Sequence, residues 1–141
     1  IQGLTLGTTA PNIFRALVEA TAFGSKKIVE QFQAEGVRID GIIAIGGVAQ
    51  KSEFVMQILA DVLNFPIRII KSEQTCALGA AMAAAVASGI HKTFLEAQNA
   101  MGSGFQKEYL PIPENVKKYM ELYEQYGTLG HFIETQELQK A

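Results

Sequence analysis

GIIAIGGVAQKS, residues 41–52, decides how the rest of the chain reads. Ile42 to Ile45 is a short β-branched run with no polar alternation, the pattern of a strand covered on both faces in a parallel sheet. Gly46-Gly47 stops it. Gln50 or Ser52 then begins a helix that apolar spacing carries to about Asn64, with Phe54, Val55, Ile58, Leu59, Val62 and Leu63 on its buried side. Where a strand runs through two glycines into a helix, a phosphate or sugar can approach the backbone without a side chain in between. The helix behind adds unpaired N–H groups and the positive end of its dipole, and Lys51 and Ser52 add a cation and a hydroxyl. Ligands of open α/β sheets bind in this position, beyond the carboxyl end of a strand. The segment matches neither G-x-x-x-x-G-K-[ST] nor G-x-G-x-x-G, and strand–Gly–Gly–helix turns also arise from packing alone.

Upstream, residues 1–10 are rich in Gly and Thr and read as a loop or frayed strand. Thr8 or Thr9 caps a helix with Pro11 in its first turn, running from Asn12 to about Glu35 and ended by Gly36. Its apolar residues Ile13, Leu17, Ala20, Phe23, Ile28 and Phe32 recur at helical spacing. Downstream, Pro66 leads into a second strand, residues 67–70, followed by the polar loop KSEQT (71–75) and a small-residue helix from Ala77 to about Ser88. Gln74 and Thr75 stand at that helix's positive end, while Gly79, Ala80, Ala81 and Ala84 let it pack closely on a sheet. The order helix–strand–helix–strand–helix predicts an α/β fold with a parallel sheet and flanking crossover helices. Beyond Gly89 come a short helix (93–101), a break at Gly102-Ser-Gly104, an extended stretch over 105–113, and a last helix from about Glu114 to Tyr126. Tyr119, Tyr123 and Tyr126, spaced by four and three, line one face of it as packing residues.

Composition narrows the function classes. The 12 Lys and Arg are scattered among 14 acids at a net charge of -2, so no basic stripe marks a nucleic-acid interface. Ala77 to Ala87 falls well short of the ~20 residues that span a bilayer. Cys76 is the only cysteine and reads as an inert, buried small residue in a reducing compartment, the cytoplasm. His91 and His131 lack partners at metal-ligand spacing, and no pair of carboxylates stands out as acid and base; Glu30, Glu35, Glu53, Asp61, Glu96, Glu121 and Glu124 read as helix-surface charges. No catalytic residue and no metal ligand is assigned. The chain starts at Ile1 without Met, and the expectation is a piece of a longer protein.

Taken in order, TTAP (8–11), RALVEATAFG (15–24), IGGVAQK (45–51), the 56–67 segment and CALGAA (76–81) resemble the C-terminal domain of the FGGY carbohydrate kinases over roughly residues 4–90. TTAP, TAFG, IGGVAQK and CALGAA, with EAQNAM (96–101) and YMELYEQY (119–126), favour the L-ribulokinase branch. The resemblance implies an actin-like, RNase H-like ATPase fold of which this chain is a partial domain. Residues 1–104 would form the C-terminal nucleotide-binding domain, and 105–141 a helical tail packing on it. It also implies phosphoryl transfer from ATP-Mg²⁺ to L-ribulose in arabinose catabolism, with the sugar held mainly by an N-terminal domain that this chain lacks. Another sugar or polyol kinase of the family, such as a xylulokinase or glycerol kinase, and a non-catalytic actin-like nucleotide-binding module are the alternatives. Carried over, the nucleotide-binding residues are Gly46 and Gly47, with a polar contact at Gln50 or Lys51. The partners implied are ATP or ADP and a sugar, with neither nucleic acid nor membrane; the exposed tail helix offers a surface for homodimer formation.

Overall fold

The computed structural model describes residues 1–138. In chain order its elements are α1 (Ala10–Ala34), β1 (Ile42–Ala44), α2 (Gly47–Lys51), α3 (Glu53–Leu63), β2 (Ile67–Ile70), α4 (Thr75–Ala87), α5 (Phe94–Met101), β3 (Phe105–Tyr109) and α6 (Pro113–Leu138). They group into two compact units, Ile1–Asp40 with Gln57–Phe65 and Leu110–Ala141, and Gly41–Met56 with Pro66–Tyr109. Among the described residues no helix is long and apolar enough to cross a membrane.

In the first unit, α1 starts where local chemistry places it. Thr9 is the N-cap, its N–H donates to Asn12 Oδ1 at 3.0 Å, and Pro11 occupies the first turn. The helix ends in a Schellman turn: Gly36 takes φ 82°, its N–H donates to the Gln33 carbonyl and that of Val37 to the Phe32 carbonyl. The buried core joins Ala22 and Phe23 of α1, Ile58 and Val62 of α3, and Tyr119 of α6, with Val18, Leu59, Leu122, Tyr123 and Tyr126 packed against it. As expected, the tyrosines pack, with the Phe23 ring 5.4–6.2 Å from all three ring centres. The apolar residues that recur at helical spacing along α1 do not share one environment. Phe23 is buried, but Leu17, Ile28 and Phe32 are more than half exposed. Helix α1 carries apolar residues on more than one face, and only the face with Val18, Ala22 and Phe23 meets α3 and α6.

The last helix was expected to stop near Tyr126 but continues to Leu138. Glycine costs a helix about 1 kcal/mol, and Gly127 and Gly130 are not followed by a proline or a capping signal that would end it. A Cβ on Gly130 would lie 3.7 Å from Lys27 Nζ, so this glycine sits where α1 and α6 approach. Lys26 reaches across the unit to donate to the Val62 carbonyl at 3.2 Å, at the C-terminal end of α3, with its ammonium 5.0 Å from the Tyr123 ring centre.

Tyr123 donates its hydroxyl to Glu30 Oε2 at 2.6 Å. Burial first, and then the bond to the Glu30 carboxylate, push its pKa above the ordinary tyrosine value of 10.0. Tyr119, which donates to Glu19 and accepts from Arg15 at 3.0 Å each, is also raised, mainly by burial. A raised phenol pKa means the folded state disfavours the phenolate. Its contribution is therefore complete below about pH 10 and is lost as pH rises beyond that value. Melting temperature followed from about pH 8 to 11 should fall less steeply above pH 10 in Tyr123→Phe than in the wild type; parallel curves would remove Tyr123 from the alkaline transition.

The second unit carries a three-stranded sheet in the order β1-β2-β3. Strands β1 and β2 are parallel, with Ile42 opposite Ile67 and Ala44 opposite Ile69. Strand β3 runs antiparallel to β2, Tyr109 facing Ile67 and Phe105 facing Ile70, so the sheet is mixed rather than wholly parallel. The cause is the connection. Two helices, α4 and α5, separate β2 from β3, and the chain re-enters the sheet at the end where it left, with the Lys71 N–H donating to the Gly104 carbonyl at 3.0 Å. In β2, Ile67 and Ile69 are fully buried and Arg68 is exposed, the alternation of a half-buried strand. β1 is not covered on both faces: Ile43 is 58% exposed, and Ile42 and Ala44 on the other face are half-buried.

The helix expected to begin at Gln50 or Ser52 is α3, starting after Ser52, and a further one-turn helix, α2, precedes it. Ser52 leaves helical geometry at φ -119°, ψ 91°, ends the one-turn α2 and caps α3 by accepting the Val55 N–H on its Oγ at 3.3 Å.

Candidate functional site

The loops leaving the carboxyl ends of the two parallel strands, and the helices they enter, face a common hollow. After β1, Gly46 adopts φ 88°, ψ 177°, a combination open to glycine almost alone, and α2 begins at the next residue. After β2, the 71–74 loop leads into α4, whose N-cap is Gln74. Between them lies a cavity of about 140 Å³ lined by Ile45, Gly46, Glu73, Gln74, Thr75 and Cys76. Larger hollows of about 490 and 380 Å³ lie in the first unit, along α1, α6 and the segment before α1. The smaller cavity carries the chemistry of a ligand site, because glycine backbone and the first turn of a 13-residue helix border it at the strand ends.

Ser72 organises the second wall. Its carbonyl accepts from Thr75 Oγ1 at 3.0 Å and from Gln50 Nε2 at 3.1 Å, and its Oγ accepts the Gln74 N–H at 3.2 Å. Intrahelical bonding of α4 starts with the Leu78 N–H to the Gln74 carbonyl, which leaves the N–H groups of Thr75, Cys76 and Ala77 without partners inside the helix. A ligand rich in acceptor oxygens suits such a wall. Glu73 is the one acid in the lining, so an anionic group would sit toward the Gly46 and Thr75 sides.

The residues singled out from sequence separate here. Gly46 lines the cavity. Gly47 is the first residue of α2, and a Cβ added to it would meet nothing within 4 Å, so no packing inside the described chain demands glycine there. Gln50 points to the Ser72 carbonyl, and Lys51 ends α2 with its side chain exposed. Cys76, expected to be buried, is exposed, because it sits in the first turn of α4 where the helix faces the cavity rather than its packed side. Glu73 and Cys76 were not expected in a site. The available signal was the second strand end, since two adjacent parallel strands deliver their following loops to the same side of a sheet. Asp61 was read as a surface charge and is instead 2% exposed, bound by three donors in the first unit. Among the described residues no three His, Cys, Asp or Glu side chains converge as a metal site.

Residues 1–88 match the model for the FGGY family of carbohydrate kinases, C-terminal domain. The chain is 47% identical over 94% of its length to a ribulokinase of Anoxybacillus flavithermus and 46% identical over 95% to one of Vibrio parahaemolyticus. It spans 24% of the length of each of these relatives. A xylulose kinase of Lactobacillus acidophilus superposes with a TM-score of 0.84 at 26% identity, covering 99% of this chain and 28% of that one, which places the chain in the actin-like ATPase fold. The chain therefore belongs to the FGGY family of carbohydrate kinases and carries that family's C-terminal domain.

Proposed function

We propose that this chain is the nucleotide-side part of an ATP-dependent sugar kinase that phosphorylates L-ribulose, with residues 1–104 as its nucleotide-binding portion and 105–141 as a C-terminal segment. The observation that carries the nucleotide assignment is the cavity between the Gly46 turn and the N-terminus of α4. Gly46 and Gly47 bring bare backbone toward the phosphates, and the first-turn N–H groups of α4 meet their charge. Lys51, exposed at the end of α2, adds a mobile cation nearby. Ribulose as acceptor is supported by the names of the relatives at 46–47% identity. Mg²⁺ would arrive with ATP, held by phosphate oxygens and water, as is usual for this ion; the described residues offer it no protein cage. In such a reaction catalysis comes from positioning and charge stabilisation, and this wall would contribute the positioning of the donor.

The test is ADP formation by the intact protein carrying this chain, offered L-ribulose, xylulose, gluconate and glycerol in turn. The expected result is turnover highest with L-ribulose. Activity centred on another of these acceptors would keep the kinase and replace the sugar, and ADP formation with none of them would point to a nucleotide-binding module without catalysis.

A further inference from the structure

We infer that Gln50 is a positioning residue of the nucleotide cavity, acting through the Ser72 carbonyl rather than by touching the nucleotide. The inference rests on the kinase reading above and gives Gln50 a different role within it.

The cavity has two walls that are separate in sequence, the Gly46 turn with α2 and the 71–75 loop with α4. The second wall is held on the sheet side by the Lys71 N–H bonded to the Gly104 carbonyl at 3.0 Å. Internally it is held by the Thr75 hydroxyl and the Gln74 N–H, both bonded to Ser72. None of these three bonds sets its distance from the first wall. Among the described residues, the side-chain hydrogen bond that joins α2 to this loop is Gln50 Nε2 to the Ser72 carbonyl, 3.1 Å across 22 positions of sequence.

The first wall needs such a tie. Helix α2 has five residues, too few to be rigid alone. It is anchored by Ala49, 5% exposed, and a small side chain is a pivot rather than a clamp. The half-buried Gln50 next to that pivot fixes the rotation of the turn and so the gap between Gly46 and Thr75. A triphosphate gripped by two backbone walls is sensitive to that gap, because N–H donors lose their strength steeply away from about 2.9 Å. Gln50 spends one of its two amide N–H groups on Ser72 and is not among the residues that line the cavity, which are Ile45, Gly46, Glu73, Gln74, Thr75 and Cys76.

The experiment measures KM for ATP, KM for the accepted sugar, kcat and melting temperature in the intact protein carrying this chain, for wild type, Gln50→Met, Gln50→Asn, Thr75→Val and the Gln50→Met/Thr75→Val double variant. Methionine keeps the length without a donor, and asparagine keeps the donor but is one methylene too short; the pair guards against a single variant that fails to fold. The loss of one neutral hydrogen bond is expected to raise KM for ATP about three- to tenfold in both Gln50 variants. The sugar KM and kcat should stay within about twofold, because the ground-state grip on the nucleotide is what loosens. In the double variant the combined rise should fall short of the product of the single ones, since both side chains act on the same carbonyl. An unchanged KM for ATP in both Gln50 variants overturns the inference. So does a full product in the double variant, which would mark Gln50 as an independent ligand, and so does a parallel loss in kcat, both KM values and melting temperature, which would mark a general structural role. A wild type inactive with every sugar overturns this inference together with the kinase reading. An active wild type with indifferent Gln50 variants overturns this inference alone.

Discussion

Asp61→Ala should lower the stability of the protein by about 3–5 kcal/mol, one of the two largest effects expected here. Asp61 is 2% exposed and lies on α3. Its Oδ1 accepts from Gln57 Nε2 at 2.9 Å and from the backbone N–H of Ile112 at 2.8 Å, and its Oδ2 accepts from Asn115 Nδ2 at 2.8 Å. The carboxylate thus pins the residues just before α6 and the first turn of that helix to α3, while Gln57 also donates to the Leu110 carbonyl at 2.9 Å. Alanine removes all three acceptor bonds at once. The amide side chains can turn toward water, while the Ile112 N–H is fixed by the backbone and loses a part-buried partner, a loss worth up to about 1–3 kcal/mol. Asp61→Asn keeps one oxygen and sets an amide against the Asn115 amide, so about 1–2 kcal/mol is expected for it. Urea denaturation measures both changes, and hydrogen exchange at Ile112 localises them. A loss below about 1 kcal/mol for alanine would show that the segment is held by packing rather than by this carboxylate.

The second large effect belongs to Gly47→Asp, which should raise KM for ATP at least tenfold while leaving KM for the sugar within about twofold. The position has room, since a Cβ there meets nothing within 4 Å, and its backbone is already helical. An aspartate in the first turn of a helix is mildly favourable for folding, by about 0.3–1 kcal/mol, so melting temperature should hold. The damage comes from charge. A carboxylate about 5 Å from a phosphate repels it by roughly 1–3 kcal/mol at the effective dielectric of a protein surface. Gly47→Ala is the steric control and should bind ATP far better than the aspartate variant. Gly46→Ala differs in kind: at φ 88°, ψ 177° an L-residue is strained, which costs of order 1–3 kcal/mol of stability. Equal rises in both KM values for Gly47→Asp would take the phosphates away from this turn.

Much of the local structure was legible because it is decided locally. Thr9, whose N–H is taken by Asn12, Pro11, which brings no N–H to satisfy, and Gly36, whose turn bonds the last carbonyls, bound α1 by local means, and no distant residue is needed to see it. Gly46-Gly47 likewise ends a β-branched run and opens a helix by backbone freedom alone. Ser52, one of the two helix starts the sequence offered, does cap α3, whereas the one-turn α2 before it was missed because GVAQK carries too few residues for a helical period to show. The length of α6 was missed because its two glycines weaken a helix without stopping it. The direction of β3 depended on counting helical passes, α4 and α5, that the sequence shows only as two short patterns.

From sequence alone came the α/β order, the family and the glycine turn, since strand and helix periods and backbone permissiveness are properties of neighbouring residues. Only the tertiary structure decided which face of α1 is covered, that Asp61 is interior, that Cys76 faces a cavity, and that Gln50 spans to Ser72. Each of these depends on which residues 20 or more positions away come to lie against the side chain, and burial and hydrogen bonding follow from that neighbourhood rather than from residue type.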